Sequence, residues 1–214
     1  MLLYIVRHGE TEFNAERRLQ GQYDAPLNEK GRELARKTGE EIKDVSFDLV
    51  ITSPLGRSVE TAELVLGNRQ VPFIKDDRLK EFCMGEWEGL LFDEIQKRDV
   101  RQMFQKYWND PMHYEGALGG ESTEQVFERT KDFFEDITQN PEYQDKTILV
   151  SSHGGTIRAI LHNIYDDKND FWHGQVPPNC SLNIVSVKDG NVTLLEEDKI
   201  YYEMEGTLHS VNTV

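Results

Sequence analysis

The feature that most constrains the fold of this chain is its start, where a short apolar run at residues 2–6 ends abruptly. The next three residues are Arg7, His8 and Gly9. A run this short, closed by polar residues and a glycine, predicts a buried strand that carries a cation and an imidazole to the edge of a sheet. In α/β proteins, ligands bind at such edges. Taken alone, His8 fits an ordinary surface or core histidine at least as well.

Short apolar runs alternate with helical patterns along the chain. The runs are residues 2–6, 48–52, 71–74 and 147–150. This alternation predicts an α/β fold, a three-layer α/β/α sandwich with a mostly parallel central sheet joined by right-handed crossovers. Pro72 removes a ladder hydrogen bond from the third run and predicts an edge or irregular position. Near the C-terminus, Asp189 and Gly190 predict a tight turn within a hairpin at the sheet's edge.

The helix predicted after the second run supplies a candidate anion-binding side chain. Ser53 as N-cap and Pro54 at the first helical position form a strong helix start. The apolar stripe that follows leaves Arg57 in the first turn on a different face. Arg57 is therefore expected beside the positive pole of a helix, where anions bind. The alternative is a solvated surface arginine.

The length of 214 residues is enough to bury one core, so we expect a single domain over residues 1–214. An irregular, aromatic excursion at about 90–120 is predicted to lie over the sheet. No apolar stretch approaches the roughly 20 residues that span a bilayer, and the first run has neither a basic leader nor a cleavage site. Cys83 and Cys180 lack metal-ligand spacing, which favours reduced thiols. These features predict a cytoplasmic protein, and the sequence leaves open whether it forms a homodimer.

Charge limits the partners that this chain can bind. Lys and Arg number 24 against 39 Asp and Glu, which gives a formal charge of -15. This balance argues against nucleic acid and against an anionic membrane as partners. An acidic protein that binds a small phosphate ester must gather its few cations in one cleft, where their field is focused against the overall repulsion.

Several chemically capable side chains follow the predicted strand ends. They are Arg7 with His8, then Arg57, Glu81 and His153. Because right-handed crossovers bring the ends of parallel strands to one edge, we expect these side chains to share a pocket. The pocket would hold two imidazoles, two guanidiniums and a carboxylate, with glycines that let backbone approach a ligand.

Two histidines and a carboxylate are also a common set of zinc or iron ligands. Two arginines in the same pocket disfavour a metal, because a guanidinium cannot deprotonate and repels a cation. Guanidiniums suit a dianionic phosphoryl group, whose oxygens accept bidentate hydrogen bonds. The sequence therefore favours a phosphate site without a metal.

Four blocks of the sequence, in this order, resemble the histidine phosphatase superfamily in its phosphoglycerate-mutase-like branch. The blocks are Arg7, His8, Gly9, Glu10, Thr11 with Asn14; Ser53 with Arg57 and Thr61; Glu81 with Gly85 and Gly89; and Ser152, His153, Gly154 and Gly155. Gly119, Gly120 and Glu121 before the long helix belong to the same pattern. The resemblance covers nearly the whole chain and is strongest to the broad-specificity phosphatases of that branch.

The resemblance implies a role for each candidate residue. His8 is the nucleophile that becomes phosphohistidine, while Glu81 first protonates the leaving alcohol and then activates water. Arg7, Arg57 and His153 bind the phosphoryl oxygens. The remaining substrate-binding positions are Gly9, Asn14, Gln20, Gly21 and Gly154. The resemblance implies no cofactor and no metal.

The fate of the phosphohistidine separates a phosphatase from a mutase. A mutase of this family needs further cations for the carboxylate of phosphoglycerate, but residues 107–128 contain neither Lys nor Arg. The tail is acidic, with Glu196, Glu197, Asp198, Glu203 and Glu205. Water is thus favoured as the acceptor, which predicts a phosphatase of broad specificity on small phosphorylated metabolites. A cofactor-dependent phosphoglycerate mutase is the alternative, and a phospho-ligand binding module without turnover is the third reading.

Aromatic and apolar residues near the predicted acid suggest a preference among phosphate esters. Trp108, Met112 and Tyr114 of the excursion, with Phe82 beside Glu81, offer apolar surface. Either they line the substrate site and favour aromatic or apolar esters, or they pack the excursion onto the body of the protein.

Overall fold

The structure is a computed structural model that describes residues 1–97 and 101–203. Residues 98–100 of the predicted excursion, and residues 204–214 at the end of the predicted domain, lie outside the described residues. Glu205 of the acidic tail is among them.

Six strands form one sheet in the order β3-β2-β4-β1-β5-β6. The strands are β1 (Leu2–Arg7), β2 (Leu49–Thr52), β3 (Phe73–Lys75), β4 (Thr147–Ser152), β5 (Leu182–Lys188) and β6 (Asn191–Lys199). The first four run parallel to one another. β5 pairs antiparallel with β1, and β6 pairs antiparallel with β5. The mostly parallel sheet is therefore confirmed, as are the edge position of the run that contains Pro72 and the hairpin at the other edge. The hairpin turns at Asp189 and Gly190, which both have positive φ.

Helices connect the strands and cover both faces of the sheet. They are α1 (Glu12–Ala15), α2 (Glu29–Glu41), α3 (Gly56–Leu66), α4 (Phe92–Ile95), α5 (Arg101–Asn109), α6 (Thr123–Gln139) and α7 (Gly154–Leu161). Short 3-10 helices lie at Asp77–Leu79, Gly85–Trp87, Pro111–His113 and Pro141–Tyr143. No helix among the described residues has the length and apolar character needed to cross a membrane.

Alternating side chains of the central strands build the two layers of core. Leu3 and Ile5 of β1 pack with α6 and α7, whereas Val6 packs on the opposite face with α2 and α3. In β4, Ile148 and Leu149 divide in the same way. Fully burying one such aliphatic side chain contributes roughly 1.5–3 kcal/mol. The period of two in the strands thus produces the predicted three-layer α/β/α sandwich.

The strand register sets the place of the site. Arg7 pairs with Ser152 across β1 and β4, so His8 and His153 leave the sheet side by side at the same edge. Thr52 pairs with Ser151 across β2 and β4. Ser53, the residue that follows β2, therefore also reaches this edge, beside the two histidines.

The predicted start of the helix after β2 is wrong. The helix begins at Gly56 with Leu55 as N-cap, and neither Ser53 nor Pro54 opens it. Asp24, distant in the sequence, instead accepts hydrogen bonds from the backbone N of Gly56 at 2.6 Å and of Arg57 at 3.4 Å. A tertiary contact thus replaces the local cap, and the first turn of α3 still carries Arg57.

Candidate active site

His8 directly follows β1 and is 2% exposed. Its Nδ1 lies 2.7 Å from the carbonyl oxygen of Gly9, which can only accept a hydrogen bond, so Nδ1 carries the proton and Nε2 keeps its lone pair. Burial, followed by the charges of Arg57 and Arg7, lowers the pKa of His8 well below its usual range. The imidazole is therefore neutral at pH 7 and has a nucleophilic nitrogen.

His153 follows β4 and is fully buried beside His8, with their ring centroids 5.1 Å apart. Its Nε2 lies 2.8 Å from the hydroxyl of Ser53, the residue expected to cap α3. Burial lowers the pKa of His153 well below its usual range, and the charge of Arg57 acts in the same direction. The second imidazole is neutral as well.

Two arginines flank the imidazoles. Arg57 is 1% exposed and donates from Nη1 to the carbonyl of Tyr23 at 2.8 Å and from Nη2 to that of Gly21 at 2.7 Å. Arg7, the last residue of β1, donates from Nη1 to the carbonyl of Pro177. Burial lowers the pKa of both guanidiniums, that of Arg57 to about 10. Both are charged at pH 7, because a guanidinium in a protein keeps its proton.

We call Arg7, His8, Arg57 and His153 the polar floor. Three of its nitrogens are buried without a hydrogen-bond partner among the described residues, namely Arg7 Nε, Arg57 Nε and His153 Nδ1. A buried donor left unpaired costs about 1–3 kcal/mol, so such groups are few in native structures. The polar floor is therefore suited to an anion rich in oxygen, which would accept these unused hydrogen bonds.

Glu81 faces the same cleft, although it does not directly follow a strand as predicted. The 3-10 helix Asp77–Leu79 separates it from the end of β3. Its carboxylate accepts hydrogen bonds from the backbone N of Phe82 at 3.0 Å, of Gly155 at 3.1 Å and of Thr156 at 3.1 Å. Gly155 and Thr156 belong to the first turn of α7, whose dipole favours a negative charge there. The carboxylate is thus held by the helix that follows His153.

Three of the five predicted substrate-binding residues line the cleft, namely Asn14, Gln20 and Gly21. Asn14 Oδ1 accepts a hydrogen bond from the backbone N of Thr11 at 3.2 Å, within the capping box of α1. Gln20 is buried, and its Oε1 has no partner among the described residues. The Asn14 amide is therefore held by the capping box, whereas the Gln20 amide oxygen is unused within the described part of the chain.

The other two predicted residues, Gly9 and Gly154, permit close approaches of the backbone instead of lining the cleft. The backbone N of Gly9 donates to Thr61 Oγ1 at 2.9 Å, and a Cβ on Gly9 would lie 2.6 Å from the carbonyl oxygen of Gly31. A Cβ on Gly154 would lie 2.7 Å from Val176 Cγ1. These glycines keep the site compact.

The cleft is open, and the empty space within it together with the solvent at its mouth amounts to about 530 Å³. Beside the polar floor and Glu81, four aromatic residues line it, which we call the aromatic wall: Phe92, Tyr107, Trp108 and Trp172. The rings of Trp108 and Trp172 are nearly parallel, with centroids 5.4 Å apart and an interplanar angle of 23°. Tyr107 meets Trp172 edge-on at 5.4 Å. The cleft therefore combines a charged, polar lining with an aromatic one.

Of the apolar residues expected beside the site, Trp108 alone among the four lines the cleft. Phe82, Met112 and Tyr114 pack within the hydrophobic cluster behind it. The hydroxyl of Tyr114 accepts a hydrogen bond from the backbone N of Ala117 at 3.0 Å. Trp108 therefore lines the cleft, and the other three pack the excursion onto the body of the protein.

The cleft residues that the sequence does not single out include Arg18, Phe92 and Trp172, with Leu19, Met84 and Val176 beside them. Trp172 follows Phe171 in an otherwise polar connection, and this aromatic pair was the available signal. Arg18 lies in the basic loop after the first strand and donates from Nη1 to the carbonyl of Gly89 at 2.9 Å. It adds a third guanidinium, at a side chain that is 33% exposed.

The donor set of the cleft does not resemble a metal centre. Within residues 1–97 and 101–203, no group of three or more His, Cys, Asp or Glu side chains is arranged to hold a metal ion. The two imidazoles stand between Arg7 and Arg57, whose charges disfavour a bound cation.

A parallel sheet whose strand ends bring paired histidines and arginines to one cleft is an arrangement for handling phosphoryl groups. Comparison with known proteins identifies the class. The family model of the histidine phosphatase superfamily (branch 1) matches residues 3–198 of this chain. The chain belongs to this superfamily, which confirms the family and the phosphatase type of enzyme that the sequence predicts.

Individual relatives and structures agree with this assignment. The chain is 32% identical over 180 residues to the "Uncharacterized phosphatase PhoE" of Bacillus subtilis, covering 84% of this chain and 86% of the relative. It is 40% identical over 169 residues to "2,3-bisphosphoglycerate-dependent phosphoglycerate mutase 2" of Gloeobacter violaceus, covering 75% and 74%. Among solved structures, "Bacillus stearothermophilus YhfR" superposes with a TM-score of 0.86 at 33% identity, covering 93% of this chain and 97% of that chain.

Proposed function

We propose that this enzyme hydrolyses phosphate monoesters through a phosphohistidine on His8 and without a metal. The observation that carries the proposal is the state of His8, which is buried, neutral and protonated on Nδ1, between two guanidiniums. Such an imidazole can attack phosphorus with Nε2 at neutral pH. The unpaired nitrogens of the polar floor are available to the phosphoryl oxygens.

The reaction then has two displacements. In the first, a bond forms between His8 Nε2 and phosphorus, the ester P–O bond breaks, and Glu81 in its acid form gives a proton to the leaving oxygen. In the second, Glu81 takes a proton from water, the water oxygen bonds to phosphorus, and the N–P bond breaks to release phosphate. Dividing one difficult displacement into two lowers each barrier. Removing a proton as the oxygen attacks is ordinary general base catalysis.

The arginines supply the electrostatic part of the catalysis. Arg7 and Arg57 are held by backbone carbonyls before substrate arrives, so little reorganisation is needed when charge spreads over the equatorial oxygens. Nδ1 of His153 is a further candidate donor to the same group. These groups neutralise the negative charge of the phosphoryl group, as a metal ion does in other phosphoryl transfer sites.

The aromatic wall supports a preference for aromatic or apolar leaving groups within a broad specificity on small phosphorylated metabolites. Rings of Trp108 and Trp172 offer a flat apolar surface beside the polar floor. A leaving group bound there gains roughly 25 cal/mol for each Å² of apolar surface removed from water. Apolar contacts are non-directional and depend on the area buried more than on the chemical identity of the leaving group, which agrees with broad specificity.

The phosphohistidine is tested by covalent labelling. Incubation with a 32P-labelled phosphate ester followed by denaturation is expected to leave an acid-labile, base-stable label on His8. The variant His8→Asn should lose the label and lower the rate of hydrolysis by about 10⁴-fold or more. The matched control is His113→Asn, which changes an exposed histidine outside the cleft and should retain both. A fully active, unlabelled His8→Asn variant would refute the mechanism.

Phosphoglycerate mutase is the second candidate, because one relative at 40% identity carries that name. Arg18 at the cleft could hold the carboxylate of phosphoglycerate. Glu197 and Asp198 of the acidic tail are paired with the buried Arg158 and so do not oppose such a substrate as strongly as their number suggests. Release of phosphate from 3-phosphoglycerate, measured beside its interconversion with 2-phosphoglycerate in the presence of the bisphosphate, separates the two functions. Interconversion clearly faster than release would favour the mutase.

A further inference from the structure

We propose that Gln22, Glu121 and Arg129 form a polar clamp that positions Glu81 for proton transfer, although none of the three lines the cleft. The inference rests on the proposed role of Glu81 as acid and base. It assigns three positioning residues, which act on the chemistry through the backbone that carries the carboxylate.

Arg129 projects from α6 onto the segment that carries the acid. Its Nη1 donates to the carbonyl of Arg78 at 2.7 Å, and its Nη2 donates to the carbonyl of Glu81 at 3.2 Å. The other edge of the guanidinium donates to the carboxylate of Glu121, from Nε to Oε1 at 2.9 Å and from Nη2 to Oε2 at 3.1 Å. The planar fork of arginine is thus used on both sides, which a lysine cannot reproduce.

Glu121 completes the clamp from the residue before the N-cap of α6. Its Oε2 accepts a hydrogen bond from the backbone N of Cys83 at 2.8 Å. The side chains of Glu121 and Arg129 are only 22% and 17% exposed, so their pairing is screened less than an ordinary surface ion pair. Arg129 holds the segment before Glu81 and the residue itself, while Glu121 holds the segment after it.

Gln22 connects this clamp to the polar floor. Its Nε2 donates to the carbonyl of Glu81 at 3.1 Å, so that carbonyl has two side-chain donors. The preceding residue, Gly21, gives its carbonyl to Arg57 Nη2 at 2.7 Å. Gln22 therefore connects the backbone of Glu81 to the segment that holds Arg57.

The clamp has a specific consequence for catalysis. Amide groups of α7 hold the Glu81 carboxylate from one side, and the clamp holds its backbone from the other. Proton transfer requires close alignment, and a shift of about 1 Å at a catalytic group can cost on the order of 10²-fold in rate. Loosening the clamp should impair protonation of the leaving oxygen more than phosphoryl binding by the polar floor.

Leaving groups of different basicity isolate this step. An alkyl phosphate such as glycerol phosphate needs a proton from Glu81, whereas p-nitrophenyl phosphate expels a stable phenolate that does not. For Glu121→Gln and Arg129→Lys we expect kcat/KM to fall by about 10- to 100-fold on the alkyl ester and by less than about threefold on the aryl ester. The ratio kcat/KM is chosen because it reports the step that forms phosphohistidine.

Two further variants make each outcome decisive. Asp132→Asn is the matched control, because Asp132 lies on α6 like Arg129 and is an exposed partner of Arg78. Both esters should react normally with this variant. Glu81→Gln should show the selective loss most strongly, and its absence there would overturn the acid role itself. If Glu81→Gln is selective but the Glu121 and Arg129 variants lose both esters equally or neither, the clamp is overturned. Should Arg129→Lys fail to fold, Glu121→Gln, which keeps the size of the side chain, decides the matter.

Discussion

The polar floor and the aromatic wall line the same cleft, but they are held by different forces. In the floor, the Arg57 guanidinium is fixed by directed hydrogen bonds to the carbonyls of Gly21 and Tyr23. In the wall, Trp108 and Trp172 are held by contacts between rings, which have no single required partner. Directed bonds fix one geometry, whereas ring contacts tolerate repacking.

This difference suggests a division of labour. The floor is built for one group, a phosphoryl dianion, and a change there should affect every substrate alike. The wall meets whatever the phosphate is attached to, and a change there should alter the ranking of substrates. Experiments can break or sharpen this contrast.

After the loss of His8 itself, the largest effect on activity is expected from Arg57→Ala. Loss of a buried donor to the transferring group should lower kcat/KM by about 10²–10³-fold, equally for alkyl and aryl esters, and weaken inhibition by phosphate. Arg57→Lys should recover little, because an ammonium cannot reproduce the fork. The measurement is kcat/KM on both ester classes.

Arg69→Ala is the matched control for Arg57. Arg69 also donates to backbone carbonyls, including those of Leu66 and Ile42, but it is not among the cleft residues. We expect it to lose stability and to retain its activity per folded molecule. A loss with Arg57→Ala confined to one class of ester would contradict the division of labour.

The histidines of the polar floor should also determine how the stability of the protein depends on pH. The pKa values of His8 and His153 are lowered in the folded protein, so below the unfolded value of about 6.5 the unfolded chain binds more protons. Each histidine therefore adds stability that is present above about pH 6.5 and is lost as the pH falls, by up to about 1.4 kcal/mol per pH unit.

Urea unfolding at pH 7 and pH 5 in a phosphate-free buffer measures this loss. The double variant His8→Asn/His153→Asn should show a shallower decline than the wild type. Trp108→Leu should show the same decline as the wild type, because the indole does not titrate. Equal slopes for the wild type and the double variant would show that the histidines do not carry the effect.

Trp108→Leu tests the wall and should have a smaller effect on activity. Removing the indole should lower kcat/KM on aryl esters by about 10-fold and change small alkyl esters little, since the lost contact is apolar area. Met112→Leu is the control, because Met112 packs in the same cluster without lining the cleft. If both ester classes fall together with Trp108→Leu, the wall does not select among leaving groups.

The floor could be predicted from the sequence to a much greater extent than the wall. His8 and His153 each end a short apolar run, and the parallel register of β1 and β4 brings them together without further adjustment. Trp172 depends on the path of an irregular connection that has no periodicity to interpret. Patterns confined to one element were therefore informative, and contacts between loops were not.

Ser53, which contacts His153 of the polar floor, shows where a local rule fails. A serine before a proline is a strong N-cap signal, but the Ser53 hydroxyl lies 2.8 Å from His153 Nε2. Asp24 supplies the hydrogen bonds that the start of α3 needs. A propensity is a weak prior when a tertiary partner competes for the same side chain.

The smallest effect is expected from Asp24→Ala, and it tests how the floor depends on that distant cap. Loss of the cap should lower the free energy of unfolding by about 1 kcal/mol. Activity on both esters should fall by a few-fold, because Asp24 also lies 3.7 Å from Arg57 Nη1 and helps to fix it. Asp24→Asn, which keeps an acceptor for the backbone N of Gly56, should restore most of the stability.

Asp48→Ala separates the two effects. The Asp48 carboxylate likewise accepts a hydrogen bond from a backbone N, that of Thr147 at 2.7 Å, but at the amino ends of β2 and β4, away from the cleft. This variant should lose a similar amount of stability and no activity. Equal activity in Asp24→Ala and Asp48→Ala would mean that the start of α3 can loosen without moving Arg57. The polar floor would then tolerate repacking as the aromatic wall does, and the contrast between them would lie in charge alone.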